Sequence, residues 1–144
     1  MKVTIHFYRH GESEANVTQH QMKCGDVRHL LMRDPVLTKA GVDKSVESQN
    51  DAPEVDIILS SQLLRAIQTA LYTYPKKFVH VVPFLNELGC GLDNSPLDNI
   101  HQKNILKNDF YRVEYTNNHN EKNFIEYLKV HILPRFSNKN NINV

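Results

Sequence analysis

The chain opens on an apolar segment with the alternation that is typical of a β-strand. Val3, Ile5 and Phe7 occupy alternate positions, and residues 5–8 are nearly all bulky. The pattern changes to charged residues at Arg9. We therefore predict a strand in the centre of a sheet that stops at this arginine.

Strand and helix patterns then alternate as far as residue 84. Glu12 to Val17 can start a helix, residues 18–37 have the polar composition of a loop, and Thr38 is placed as the N-cap of a helix to about Gln49. Three further elements are predicted: a buried strand at 55–59, a helix at 63–74 with Ser60 and Ser61 as cap candidates, and a strand at 77–84. Strands that alternate with helices predict a parallel sheet with right-handed crossovers.

The pattern weakens in the second half of the chain. Residues 89–120 are rich in asparagine and predict a long loop with one or two short helices, whereas 121–136 regain helical spacing. After a linker, residues 142–144 resemble the opening of a strand. The predicted fold class is α/β, a three-layer sandwich with a mostly parallel central sheet, helices on both faces and one or more C-terminal strands missing.

Composition narrows the class of protein. A length of 144 residues predicts one domain over 1–144, and the unfinished strand at 142–144 predicts that this domain is truncated at its C-terminus. A net charge of +1 predicts neither a nucleic-acid nor a membrane partner. The N-terminal run is too short for a signal peptide, which predicts a cytoplasmic protein. Cys24 and Cys90 match no zinc-ligand spacing, so we expect two reduced thiols and no metal.

Chemically versatile side chains follow three of the predicted strands. Arg9 and His10 end the first strand, Arg65 follows the second and Glu87 follows the third. Because ligands of open parallel sheets bind outside the carboxyl ends of the strands, these residues should converge on one rim. Each one alone is more often a solvated or structural residue, and the hypothesis depends on their convergence.

The convergent residue types suit a phosphorylated ligand. Two guanidinium forks, Arg9 and Arg65, can each grip a phosphate with paired hydrogen bonds, and Asn16 can add a neutral donor. The imidazole of His10 offers a nucleophilic nitrogen, and Glu87 can protonate a leaving oxygen.

Four ordered segments resemble the histidine phosphatase superfamily, whose members include the phosphoglycerate mutases. The segment Tyr8-Arg9-His10-Gly11-Glu12-Ser13-Glu14-Ala15-Asn16 is similar to the family's Arg-His-Gly-Glu-Ser-x-x-x-Asn signature. The other three are a Leu-Thr-x-x-Gly helix start at 34–41, a Ser-Ser-x-x-x-Arg-Ala-x-Gln-Thr-Ala block at 60–70, and an acid motif at 85–87.

The resemblance implies a phosphoglycerate-mutase-like fold and a role for each residue. His10 would become a phosphohistidine, and Glu87 would act as proton donor and then as base. Arg9, Asn16 and Arg65 would bind the phosphoryl oxygens. The two arginines supply positive charge, so neither a metal nor another cofactor is implied. The substrate would be a phosphorylated small molecule or a phosphoprotein, and the oligomeric state is left open.

The sequence departs from the family at the second histidine, which follows a late strand in family members. The other histidines of this chain are His6, His20, His29, His80, His101, His119 and His131, and none follows a predicted strand in that manner. Either the chain is a shortened form of a competent domain, or the fold serves as a binding module that turns over little substrate.

Within the family, the acid motif separates two reactions. Mutases continue it as Glu-Arg-x-Tyr-Gly, whereas this chain has Glu87-Leu88-Gly89-Cys90-Gly91 and lacks the extra arginine and tyrosine. The sequence therefore favours hydrolysis of a phosphomonoester, with phosphoglycerate-mutase-type transfer and non-catalytic phosphate binding as the alternatives.

Overall fold

A computed structural model of the chain describes residues 1–21, 27–82, 84–87, 89, 91–113 and 123–144. The strands are β1 (Lys2–Thr4), β2 (Ile58–Ser60), β3 (Val79–Val81), β4 (Tyr111–Val113) and β5 (Asn141–Asn143). The α-helices are α1 (Glu14–Gln21), α2 (Lys39–Glu47), α3 (Leu64–Thr73), α4 (Asn99–Leu106) and α5 (Phe124–Tyr127). Helix α5 continues as a π-helical turn (Leu128–Ile132) and a 3₁₀ turn (Leu133–Phe136).

All strand pairs among these residues are parallel. β1 pairs with β5, and β2, β3 and β4 form a second group in that order. The backbone N–H of Asp56 donates to the carbonyl of Asn143 over 2.8 Å, which joins the segment just before β2 to β5. The predicted α/β class with parallel strands is confirmed.

Buried side chains form two clusters on opposite faces of these strands. Neighbouring residues of a strand point to opposite faces, and Val81 packs in a cluster with Ile67 of α3, whereas Val82 packs with Tyr127 and Ile142. Helix α3 and the α5 segment therefore cover different faces. The complete three-layer sandwich and the missing C-terminal strands stay predictions.

The predicted first strand is wrong in length, because β1 ends at Thr4. Val144 N–H donates to the carbonyl of Thr4, and His6 N–H donates to the carbonyl of Val144, but the pairing goes no further. Among the described residues, the backbone groups of Phe7 to Arg9 have no backbone partner, and Phe7 is 79% exposed. A bulky, alternating sequence forms a strand only where a neighbouring strand supplies hydrogen bonds.

The two predicted helix caps have different outcomes. The hydroxyl of Thr38 accepts a hydrogen bond from the N–H of Gly41 over 3.0 Å, which confirms the N-cap of α2. Neither Ser60 nor Ser61 caps α3, whose first N–H, on Leu64, donates instead to the buried carboxylate of Asp34 over 2.8 Å. The sequence prediction was wrong because this acceptor lies thirty positions upstream.

Other boundaries differ modestly from the prediction. Helix α1 runs beyond Val17 to Gln21, and the predicted loop at 89–120 contains α4 and also a strand, β4. Expectations for Pro83, Cys24, Cys90, His119 and residues 121–122 lie outside the described residues. In the part of the chain that the structure describes, no helix is long and apolar enough to cross a membrane.

Candidate active site

The turn that carries His10 is fixed from two sides. The N–H of Gly11 donates to the hydroxyl of Thr69 on α3 over 2.9 Å. On the other side, a Cβ on Gly11 would lie 2.9 Å from the carbonyl oxygen of Gly41, and a Cβ on Gly41 would lie 2.2 Å from the carbonyl oxygen of Glu12. Both glycines are therefore needed for the close approach of α2 to this turn.

The imidazole of His10 is oriented by the backbone carbonyl of the next residue, Gly11. Nδ1 lies 2.7 Å from the carbonyl oxygen of Gly11, and a carbonyl can only accept, so Nδ1 carries the proton in a neutral ring. Nε2 then presents its lone pair away from the turn. The side chain is 9% exposed, which leaves a small opening toward solvent.

Arg65 lies directly against that lone pair. Its side chain is 3% exposed, and its Nε–H donates to Nε2 of His10 over 3.2 Å. The terminal nitrogens donate to the carbonyl of Asp93 over 2.6 Å, to Oδ1 of Asn94 over 2.8 Å and to Oε2 of Glu87 over 3.3 Å. Four hydrogen bonds therefore fix a guanidinium that has five N–H donors.

Glu87 reaches the same point from the loop after β3. Its Oε1 lies 3.2 Å from Nε2 of His10, and its side chain is 51% exposed. The preceding residue holds the loop in place, because Asn86 accepts from the N–H of Gln62 over 2.9 Å and donates to its side chain over 2.6 Å. The carboxyl group is thus open to solvent but anchored through its neighbour.

Helix α3 presents three polar side chains at positions i, i+3 and i+4, which share one face of a helix. Arg65 contacts His10, Gln68 accepts a hydrogen bond from the N–H of Leu37 over 2.9 Å, and Thr69 holds Gly11. The Arg-Ala-x-Gln-Thr spacing therefore has a structural reason. One helix face ties together the segments before α1 and before α2.

The other two predicted phosphate ligands are placed differently. Arg9 is exposed, lines the same cavity as His10, and has no hydrogen-bond or ion-pair partner among the described residues. Asn16 accepts from the N–H and the hydroxyl of Ser13 over 3.0 and 2.9 Å at the start of α1. The structure brings His10, Arg65 and Glu87 into contact, and it gives Asn16 a capping contact outside the cavity.

A cavity of about 340 Å³ opens beside His10, between residues 5–10 and β2. Tyr74 lines it, and burial, followed by the neighbouring Tyr8, raises the pKa of Tyr74 to about 12. The phenol therefore stays protonated and donates to the carbonyl of Pro53 over 3.1 Å. Within the described ranges, no group of three or more His, Cys, Asp or Glu side chains is arranged to hold a metal ion.

Sequence reasoning overlooked the residues that support the cluster. Asp34 is 2% exposed, and its carboxylate also accepts from the N–H of Leu97 over 2.8 Å and from Gln102 over 2.9 Å. It thereby joins the start of α3 to the loop that carries Asp93 and Asn94. The quoted motif blocks contained Asp34 and Thr69, but a linear pattern does not reveal their distant partners.

A comparison with models of protein families gives a match. Residues 5–121 match the family model described as histidine phosphatase superfamily (branch 1). A search of curated proteins finds no match to the chain. The matched range contains His10, Arg65 and Glu87 together with the helix that aligns them.

Proposed function

The chain belongs to branch 1 of the histidine phosphatase superfamily, and from that premise we propose that it hydrolyses phosphomonoesters through a phosphohistidine at His10. Membership supports phosphoryl-transfer chemistry in general. Hydrolysis as the reaction, and the roles of the individual residues, are our proposal.

The main observation in support of this proposal is the environment of Nε2 of His10. The Nδ1–H···O contact of 2.7 Å leaves Nε2 as the basic nitrogen, and both Arg65 Nε and Glu87 Oε1 lie 3.2 Å from it. A nucleophile, a fixed cation and a carboxyl group thus meet at a single atom. Nucleophilic phosphoryl transfer can use each of these groups: one to attack, one to offset charge and one to move a proton.

The proposed reaction has two displacements. The Nε2 lone pair attacks phosphorus, the ester P–O bond breaks, and Glu87 gives its proton to the departing alkoxide. Glu87, now a carboxylate, takes a proton from water as the water oxygen attacks phosphorus. The P–N bond then breaks, and inorganic phosphate leaves with His10 restored to its neutral form. The partial exposure of Glu87 admits the water.

Arg65 must exchange partners when the substrate binds. Its Nε–H now occupies the lone pair at which phosphorus would bond. A phosphoryl oxygen is a better acceptor because it is charged, so it would take over this N–H and the one now on Glu87. Nη1 can keep its bond to the carbonyl of Asp93, which holds the guanidinium in place during the exchange.

A phosphoenzyme trap tests the proposal. The chain is incubated with a ³²P-labelled phosphomonoester, quenched in alkali and examined for acid-labile label. We expect label on the wild type and none on His10→Ala. His101→Ala is the matched control, because His101 lies on α4, is exposed and bonds to Asp98, the residue before that helix. Equal labelling of wild type and His10→Ala would overturn the proposal.

A second candidate, phosphate binding without turnover, is favoured by the same four hydrogen bonds. If Arg65 does not release His10, the nucleophile stays blocked while Arg9 can still bind an anion. In that case inorganic phosphate would raise the unfolding temperature in a saturable way. Arg9→Ala would remove the effect, and no label would appear on His10.

A further inference from the structure

Thr69 makes two hydrogen bonds with a single hydroxyl group. Its Oγ1 donates to the carbonyl of Arg65 one turn earlier over 2.7 Å, and it accepts from the N–H of Gly11 over 2.9 Å. The first contact is common for threonine inside a helix. The second reaches across 58 positions of sequence to the residue that follows His10.

These two bonds connect the nucleophile to the arginine through one side chain. Gly11 receives Thr69 at its N–H and uses its carbonyl to accept Nδ1–H of His10. Movement of Gly11 would therefore release the imidazole from the contact that keeps the proton on Nδ1. The same hydroxyl bonds to the backbone carbonyl of Arg65, so it ties the turn that carries His10 to the residue whose guanidinium contacts Nε2.

We infer that Thr69 is a positioning residue for phosphoryl transfer: its hydroxyl keeps Nε2 of His10 unprotonated and facing Arg65. The inference rests on the proposed function, because it assigns Thr69 to the same site. The hydroxyl touches neither Nε2 nor the guanidinium, so it acts through Gly11 and through the helix backbone.

The test compares three variants of the full chain. Thr69→Val keeps the shape but removes the hydroxyl, and Thr69→Ser keeps the hydroxyl but removes the methyl. Thr73→Val is the matched control, because Thr73 lies one turn later on α3 and bonds to the carbonyl of Ser45 over 3.3 Å. If Thr69→Val does not fold, Thr69→Ala replaces it.

Two readouts are measured on each variant. The first is the rate of phosphohistidine formation at saturating substrate, which should fall about 100-fold in Thr69→Val, since misplacement of about 1 Å costs that much. Thr69→Ser and Thr73→Val should stay near the wild type. The second is the ¹⁵N spectrum of the His10 ring at alkaline pH. It should show the Nδ1–H tautomer in the wild type and a mixture in Thr69→Val.

The ¹⁵N spectrum of the His10 ring tests the role of Thr69 separately from the proposed function, because the spectrum requires no turnover. A wild type that forms no phosphohistidine contradicts the proposed function, yet the tautomer comparison still decides the role of Thr69. An unchanged tautomer in Thr69→Val overturns the inference, and so does an unchanged labelling rate when the wild type is labelled. Equal loss in Thr73→Val or in Thr69→Ser would also overturn it, since packing alone would then explain the effect.

Discussion

Two arginines border the cavity beside His10, and the structure surrounds them very differently. Arg65 is buried and donates four hydrogen bonds, to His10, Glu87, Asp93 and Asn94. Arg9 is exposed, and within the described part of the chain its guanidinium contacts no partner. The backbone differs as well, because Arg65 lies in α3 whereas Arg9 follows the end of β1.

The difference implies that the two arginines contribute to different steps. A guanidinium held before the ligand arrives loses little entropy on binding, so it can stabilise developing charge most effectively. An exposed arginine must be ordered by the ligand and is screened by salt. We therefore expect Arg65 to govern the rate of transfer and Arg9 to govern the strength of binding.

The largest effect is expected at Arg65. Arg65→Ala removes the cation beside Nε2, and the rate of phosphohistidine formation should fall by about 10²–10³. Arg65→Lys should recover little, because an ammonium cannot span His10, Asp93 and Asn94 as the planar fork does. Quenched-flow labelling measures the rate. If Arg65→Lys retained the wild-type rate, charge alone would explain the contribution of Arg65.

Asp34 comes next, because it fixes the helix that carries Arg65. Asp34→Asn places an amide group where the carboxylate accepts from Leu97 and Gln102, and we expect a loss of about 1–3 kcal/mol in unfolding free energy. Urea titration measures it. Asp43→Asn is the control, since its exposed pair with Lys39 should contribute only about 0.3–0.5 kcal/mol. Equal losses would show that Asp34 has no special structural role.

Arg9→Ala should have a smaller effect on activity. Loss of one charged contact should weaken phosphate binding about tenfold, since 1.4 kcal/mol corresponds to that factor. In the absence of phosphate, the unfolding temperature of Arg9→Ala should equal that of the wild type, because Arg9 has no partner in the described structure. The difference from wild type should shrink as salt rises. Arg33→Ala is the control, because Arg33 is also exposed but does not line the cavity. A salt-independent difference at Arg9 would contradict the assignment of binding strength to this residue.

The smallest effect is expected away from both arginines, at Asp56 in the segment just before β2. A hydrogen bond from Lys139, and then one from the N–H of Asn143, lower the pKa of Asp56 below its usual 3.8. A carboxyl group whose pKa is lowered by folding stabilises the fold at pH values above its usual pKa. This stabilisation is lost as the pH falls through the lowered pKa. Asp56→Asn should therefore melt earlier than wild type at pH 7. This gap should close in strong acid, and a constant gap would exclude the ionic contribution.

The sequence anticipated the contact between His10 and Arg65 for a physical reason. Both residues follow strands, and the carboxyl ends of parallel strands share one rim. The Thr38 cap was also predictable, because its partner is three residues away. Such features follow from short-range rules or from a general property of parallel sheets.

The remaining features depend on partners that are far apart in the sequence. The end of β1 is set by β5, and the cap of α3 is supplied by Asp34. β4 has only three residues inside a polar segment, so its strand signal is weak. The roles of Thr69 and Asn86 likewise become visible only when α3 and the loop after β3 are folded.

The central claim is that the phosphoryl group becomes attached to Nε2 of His10 and to no other atom of the protein. The most direct measurement is ³¹P NMR of the alkali-denatured phosphoprotein, which distinguishes the two phosphohistidine isomers, combined with mass spectrometry to locate the residue. We predict that the phosphoryl group is on Nε2 of His10, because Nδ1 donates to the carbonyl of Gly11. Phosphorus on Nδ1, or on any other side chain, would contradict the account.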